Sequence, residues 1–181
     1  MTQNYTLEEL TAEWLRRNGL LPMRTDCGIE LATGTDVEAM ARERVKRWYS
    51  RMLREAPAEL LPTADFAAES ALSERESDGS AVIEPGARCA RVLAVKLAEW
   101  KSEARPEEGA EEERVGKRQR QKYLRAGRAN PRGVKEADGR RIRVWPGGCG
   151  EIETLTGVAV AEGGRYVLDP VLLDRMETEE E

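Results

Sequence analysis

The chain reads Arg141-Ile142-Arg143-Val144-Trp145-Pro146-Gly147-Gly148-Cys149-Gly150, and this run joins a strand to a turn. Polar and apolar side chains alternate from Arg141 to Trp145, which is the pattern of a strand with one buried face. Proline and glycine then predict a turn, and Ile152 to Val160 alternates again with a period of two. We therefore predict a β-hairpin, with Arg141 and Arg143 on the face opposite Ile142 and Val144.

Shorter signals follow this run. Gly163-Gly164 predicts a turn, and Tyr166 to Leu168 predicts a short extended segment. Asp169 with Pro170 predicts the start of a last helix, Val171 to Met176, because proline suits the first helical position.

Two helices are predicted before this β-rich part. The first begins at a capping box of Thr6 with Glu9 and ends at Gly19, since a left-handed C-terminal cap favours glycine. The second begins at a capping box of Thr35 with Glu38 and ends before Pro57. Its predicted apolar stripe is Val37, Met40, Val45, Trp48, Met52 and Leu53, and its outer face is basic, with Arg42, Arg44, Lys46, Arg47, Arg51 and Arg54.

The middle of the chain is harder to assign. Leu60 to Gly86 is polar and punctuated by turn signals, and Val92 to Trp100 fits a strand and a helix equally well. Glu103 to Gly116 is typical of an exposed acidic linker, and Lys117 to Arg125 of a short basic helix. These elements predict an α+β fold in a single domain, residues 1–181. Its helical part covers about 1–58 and 169–177, and its β-rich insertion, a hairpin or small antiparallel sheet, about 60–168.

Composition limits the chemistry available. The 181 residues include no histidine and three cysteines, Cys27, Cys89 and Cys149, without C-x-x-C spacing. Ser-His-Asp triads are therefore excluded and a structural zinc site is disfavoured. The many carboxylates leave a paired-carboxylate hydrolase formally open, but they fall in charge runs typical of a solvated surface. The glycine-rich loop at 147–150 joins two predicted strands and lacks the helix that a phosphate cradle needs. We expect no catalytic residue, no metal site, no cofactor and no small-molecule substrate.

Charge is segregated along the chain. Residues 117–143 hold eleven basic side chains against two acidic ones, whereas acidic runs precede this stretch and end the sequence. Such a pattern suits a polyanion partner or charge-matched copies of the same chain. The candidate assembly or DNA-facing residues are Lys117, Arg118, Arg120, Lys122, Arg125, Arg128, Arg140, Arg141 and Arg143.

Short motifs give a family resemblance. Two helices lead to Leu61-Pro62-Thr63-Ala64-Asp65-Phe66, an apolar stretch ends at Trp100, and a strand ends in Trp145-Pro146 before Tyr166-Val167-Leu168-Asp169-Pro170. In this order the chain resembles the head-to-tail adaptor (tail tubular A-like, connector) proteins of tailed bacteriophages and prophages, over about Thr35 to Met176. The resemblance implies a helical part with an inserted β-rich part, a strand at Val92 to Leu97, and a ring of many copies under the portal.

The functional expectation is a non-enzymatic phage or prophage structural protein, a head–tail connector that forms a homo-oligomeric ring and contacts portal and tail proteins. Non-specific DNA contact is secondary to assembly in this interpretation. The alternative is a small intracellular nucleic-acid-binding or regulatory protein that uses residues 117–143. The sequence shows no signal peptide and no apolar run long enough to span a membrane, so the expected location is the virion or the bacterial cytoplasm.

Overall fold

The computed structural model describes residues 1–20, 37–75, 78–107, 110–119, 121, 124–136 and 140–176. The chain forms two compact units, one from Met1–Pro62 with Ala161–Glu181 and the other from Thr63–Val160. We call them the helical unit and the β unit. Helices and mostly antiparallel strands are both present, which confirms the predicted α+β class.

The helical unit begins with strand β1, Gln3–Thr6, and helix α1, Leu7–Arg17. The predicted capping box is confirmed: the Glu9 amide donates to Thr6 Oγ1 at 3.1 Å, and the Thr6 amide donates to Glu9 Oε2 at 2.8 Å. The predicted glycine end is also confirmed, because Gly19 has a φ of +65° just beyond the helix.

Helix α2 spans Val37–Glu55 and ends before Pro57, as the sequence predicts. Val45, Trp48, Met52 and Leu53 are buried. The predicted stripe is wrong at its start, where Val37 and Met40 are 41% and 36% exposed. The predicted capping box of Thr35 with Glu38 lies outside the described residues.

Strand β10, Arg165–Leu168, returns to the helical unit and pairs antiparallel with β1. The sequence places this segment in the β-rich insertion, whereas the contacts group it with the helices. A 3-10 helix, Pro170–Arg175, follows where an α-helix is predicted, and the Val171 amide donates to the Asp169 side chain at 3.1 Å. The cap at Asp169 is therefore confirmed, while the helix type differs. Within the described residues, no helix is both long and apolar enough to cross a membrane.

The β unit contains two sheets among its described residues. A three-stranded sheet has β2, Thr63–Asp65, and β5, Cys89–Leu97, on either side of β9, Ile152–Ala159. A second sheet has the order β3-β4-β8-β7-β6, from β3 (Ala71–Arg75), β4 (Ser80–Glu84), β6 (Pro106–Glu107), β7 (Arg132–Lys135) and β8 (Ile142–Trp145). Only the β6–β7 pair in these sheets is parallel among the strands described.

Both sheets contribute to one hydrophobic core. Ile83, Ile142 and Val144 come from the second sheet, and Val95 and Leu155 come from the first. All are almost fully buried. The core therefore joins the two sheets, and it confirms that Ile142 and Val144 form the inward face of their strand.

The predicted hairpin of residues 141–160 is wrong. Both strands exist, but β8 pairs with β4 and β7, whereas β9 pairs with β2 and β5. The glycine-rich turn between them carries the chain from one sheet to the other. Period-two alternation identifies a strand and its buried face, but it does not identify the neighbouring strand.

The middle segments also differ from expectation. Part of the polar 60–86 region forms the antiparallel pair β3–β4, joined at the predicted Asp78-Gly79 turn. The segment that fits both a strand and a helix belongs to strand β5 as far as Leu97, so the strand that the resemblance implies at Val92 to Leu97 is confirmed. The predicted acidic linker at 103–116 is wrong, because it contains β6 and most of helix α3, Ala110–Gln119. The basic helix predicted at 117–125 is also wrong, since α3 ends at Gln119 and Arg125 lies beyond it.

Candidate functional site

The predicted basic stretch does not occupy a single element. Lys117 and Arg118 lie in the last turn of α3, and Arg125 and Arg128 follow in the connection to β7. Arg140 and Arg141 precede β8, which contains Arg143. Arg120 and Lys122, also predicted candidates, lie outside the described residues.

Much of the positive charge in this stretch is paired within the β unit. Arg128 Nη2 lies 2.5 Å from Glu99 Oε2, and Arg132 Nη1 lies 2.9 Å from Glu107 Oε1. Glu99 and Glu107 lie outside residues 117–143 in the sequence, so the charge count for that stretch does not include them. The pairs reduce the field that residues 117–143 present to a polyanion.

Glu136 brings Arg141 and Arg143 together. Its carboxylate is only 11% exposed and lies 3.3 Å from Arg141 Nε and 2.7 Å from Arg143 Nη2. The Glu136 amide also donates to the Arg141 carbonyl at 2.8 Å, next to the paired ends of β7 and β8. The outward-facing arginines are confirmed as outward, but both contact a carboxylate of their own unit.

A second basic surface lies on α2. A groove of about 530 Å³ follows the helix, and those of its lining residues that the structure describes belong to α2. Residues at i, i+4 and i+8 share one side of a helix, so two adjacent rows build the groove. One row is Lys46, Ser50 and Arg54, and the other is Arg47, Arg51 and Glu55. We call this surface the α2 groove.

Trp48 forms the buried edge of the α2 groove. Trp48 is buried, as are Val45 and Met52 on the same helix, and its indole Nε1 donates to the Arg175 carbonyl at 3.2 Å. The apolar side of α2 thus packs against its own unit, and the basic side chains lie on another side of the helix. The sequence showed this basic face of α2, but the predicted candidates came only from residues 117–143.

Two carboxylates with lowered pKa values have structural partners. Asp65 accepts hydrogen bonds from the Leu155 and Ala67 amides, each at 2.9 Å, and these bonds hold its pKa below the usual range. The amino group of Met1 donates to Asp169, and that bond, with the one from Val171, lowers the pKa of Asp169. Both carboxylates stay ionised at neutral pH and stabilise the local backbone.

The described cysteines are poor nucleophiles. Burial raises the pKa of Cys89 to about 11, so almost none of it is thiolate at neutral pH. Cys149 is 3% exposed, and its Sγ lies 3.4 Å from the Gly147 carbonyl oxygen. Cys27 lies outside the described residues. No cluster of three or more potential metal ligands occurs in the part of the chain that the structure describes.

Comparisons with known proteins add no relatives. No protein-family model, curated protein or solved structure matches the chain. The resemblance to phage adaptors therefore stays a prediction from short motifs.

Proposed function

We propose that this chain is a non-enzymatic phage or prophage structural protein, a head–tail adaptor whose copies form a ring between portal and tail. The observation that carries the proposal is the insertion of the β unit, Thr63–Val160, into a helical unit made of Met1–Pro62 and Ala161–Glu181. A helical part with an inserted β-rich part is what the adaptor resemblance implies. The location proposed with this function is the virion, with the bacterial cytoplasm before assembly.

The motif behind the resemblance lies where the chain passes between the two units. Leu61 is buried at the end of the helical unit, and Pro62 is its last residue before the insertion. Asp65 and Phe66 lie near the start of the β unit, where the Phe66 amide donates to the Leu155 carbonyl at 2.8 Å. The four residues thus have defined structural roles at the junction, which supports treating the motif as more than a chance match.

The alternative is a nucleic-acid-binding protein that uses residues 117–143. Lys117 and Arg118 favour it, because both are exposed at the end of α3. The pairing of Arg128, Arg141 and Arg143 with carboxylates of the same unit weighs against it. We therefore keep assembly as the first proposal.

Size measurement separates the two functions. We expect the purified chain to form a discrete ring, alone at high concentration or when mixed with the portal protein of the same genome. Analytical ultracentrifugation and negative-stain electron microscopy of both samples test this. A chain that neither oligomerises nor co-sediments with the portal contradicts the proposal. A monomer or dimer that binds duplex DNA, with an affinity that falls steeply with salt, would support the alternative.

A further inference from the structure

The second sheet of the β unit has a small apolar cluster on its outer face. Successive side chains of a strand point to opposite faces, so Val144 and Trp145 lie on opposite faces of β8. Val144 belongs to the core that joins the two sheets, whereas Trp145 packs in a separate cluster with Val134 and Val115. Helix α3 contributes Val115 and therefore covers this outer face.

Helix α3 has few apolar groups with which to hold the sheet. Its ten residues include two with apolar side chains, Ala110 and Val115. Of its described side chains, Val115 is the one that is buried, at 4% exposure. Arg114 and Lys117 have further partners, but both are exposed, where polar contacts contribute little. The packing of Val115 is therefore the main described contact that docks the helix.

The indole of Trp145 is buried without a hydrogen bond. Its residue is 5% exposed, and Nε1 meets no acceptor among the described residues. Two other buried tryptophans differ, because Trp48 donates to the Arg175 carbonyl at 3.2 Å. Trp100 likewise donates to the Pro146 carbonyl at 3.2 Å. A buried donor without an acceptor loses its hydration and gains no bond in exchange, so this burial opposes the docking of α3.

Both ends of the α3 segment are held to the β unit by bonds that do not involve the helix. Before it, the Ala104 amide donates to the Val95 carbonyl at 2.8 Å, and β6 pairs with β7. After it, the Arg128 carbonyl accepts a hydrogen bond from the Lys101 amide at 2.7 Å. The helix can therefore leave the sheet while the core and the flanking strands keep their contacts.

We propose that α3 is a displaceable cover, which opens from the outer face of the second sheet and exposes Trp145 while the rest of the β unit stays folded. An isolated helix of ten residues is marginal in water, so α3 unfolds as it opens. A molecule that binds only the open form shifts the population towards it, and the cover thus makes access to Trp145 conditional. The inference goes beyond the proposed function and does not rest on it, because it concerns a single copy of the chain.

Hydrogen exchange of the indole groups tests the cover in the wild-type chain. The Nε1 hydrogen of each tryptophan gives its own ¹H–¹⁵N signal, and Trp145→Phe identifies the signal of Trp145. We expect this hydrogen to exchange about tenfold faster, or more, than those of Trp48 and Trp100. Its protection factor should match those of the α3 amides and be far below those of the β8 amides.

Two outcomes in the wild-type chain would overturn the proposal. The first is a Trp145 indole hydrogen that is as protected as that of Trp100. The second is fast exchange at Trp145 beside strongly protected α3 amides, since water would then reach the indole without movement of the helix.

Two substitutions in α3 should shift the opening in opposite directions. No described atom lies within 4 Å of a Cβ built on Gly116, and its φ is not positive, so alanine there adds only helix propensity. We expect Gly116→Ala to slow exchange of the α3 amides and of the Trp145 indole about fourfold. Val115→Ala should speed both several-fold, because it removes apolar contact with the cluster. Val171→Ala, at a position 59% exposed in the helical unit, is the control and should change neither rate.

The β8 amides show whether the rest of the β unit stays folded, and we expect no change in their exchange in either α3 variant. Equal acceleration of the β8 and α3 amides in Val115→Ala would overturn the proposal, since α3 would then open only with the whole unit. Gly116→Ala keeps the test decisive if Val115→Ala fails to fold. Slower α3 amides with an unchanged Trp145 indole in Gly116→Ala would also overturn the proposal, because exposure of the indole would not depend on the helix.

Discussion

Gly147 packs against the backbone of β4, a strand far from it in the sequence, and this contact leaves no room for a side chain. A Cβ at this position would lie 2.5 Å from the Ser80 carbonyl oxygen and 2.7 Å from the Ala81 nitrogen, both backbone atoms. The Gly147 amide also donates to the Gly79 carbonyl at 2.7 Å. We expect Gly147→Ala to lower the free energy of unfolding by about 1–3 kcal/mol, because overpacking must move the backbone of β4. Urea unfolding followed by circular dichroism measures the change.

Gly127→Ala is the matched control for Gly147→Ala. No atom lies within 4 Å of a Cβ built on Gly127, and its φ is not positive. Its effect should stay within about 0.5 kcal/mol. Similar losses from both substitutions would contradict the steric explanation.

Glu13 gives a pH-dependent prediction. Arg16 and Arg17 each lie 2.6 Å from Glu13 Oε1. Hydrogen bonds from Arg16, and then from Arg17, lower its pKa from 4.5 to about 2 against the effect of burial. The folded pKa is below the unfolded one, so the stabilisation is complete above pH 4.5 and is lost as the pH falls to 2. We expect Glu13→Gln to destabilise by about 1 kcal/mol at pH 7, since the pair is partly solvated.

Urea unfolding at pH 7, 4 and 2 tests the role of Glu13. The difference between wild type and Glu13→Gln should shrink as the pH falls and vanish near pH 2. Gly127→Ala, which removes no ionisable group, is a control that should show no such trend. A difference that is constant with pH would rule out the ion pairs as its cause.

Interactions between residues close together in the sequence could be predicted, whereas contacts between residues far apart in the sequence could not. The capping box at Thr6 and the cap at Asp169 depend on residues within three positions, so their patterns predicted them correctly. Gly147 was readable only as a turn residue, because its close neighbours, Ser80 and Ala81, are far away in the sequence. The Glu99 and Glu107 partners of Arg128 and Arg132 were hidden for the same reason.

Among the elements, strands were easier to predict than their partners. β8 and β9 were both predicted, but their proximity in sequence suggested a hairpin that the structure does not have. β4 pairs instead with β8 across about sixty residues of sequence, Ile83 opposite Ile142. Pairing of this kind is decided by which apolar faces can be buried together, and a short sequence window does not contain that information.

Helix α3 was missed because six of its ten residues are charged and few are apolar. Val115 is its one described buried apolar residue, and it packs with Val134 and Trp145. A single apolar contact per three turns is too little to give a periodic signal. The cations at its end, Lys117 and Arg118, favour the helix by complementing its dipole, so they contribute to local structure whatever they bind.

The candidate surface was only partly predictable. The charge pattern of the sequence singled out residues 117–143. In the folded chain, several arginines of that stretch pair with carboxylates. The α2 groove is formed by two rows of side chains spaced four residues apart on a helix that also has an apolar side. One row is at positions 46, 50 and 54, and the other is at 47, 51 and 55. Charge density after folding therefore differs from charge density in the sequence.

At the scale of the whole molecule, the β unit is suited to be an insertion because its own first and last residues lie close together. Thr63 pairs with Val158 in the β2–β9 ladder, and the Val160 amide donates to the Arg88 carbonyl at 2.8 Å. The chain thus enters and leaves the unit on neighbouring strands. Units with adjacent ends and a core of their own are tolerated as insertions, because the host chain only has to bridge a short gap.

We therefore expect residues 63–160 to fold when they are expressed alone. The twelve described residues of the shared core all belong to this unit, so excision leaves the core intact. Well-dispersed ¹H–¹⁵N spectra and a cooperative thermal transition would be the expected result. Phe66→Ala should lower the stability of this fragment by about 3–5 kcal/mol, since the ring is 2% exposed within the core. Narrow amide dispersion in the unsubstituted fragment would show instead that the β unit needs the helical unit to fold.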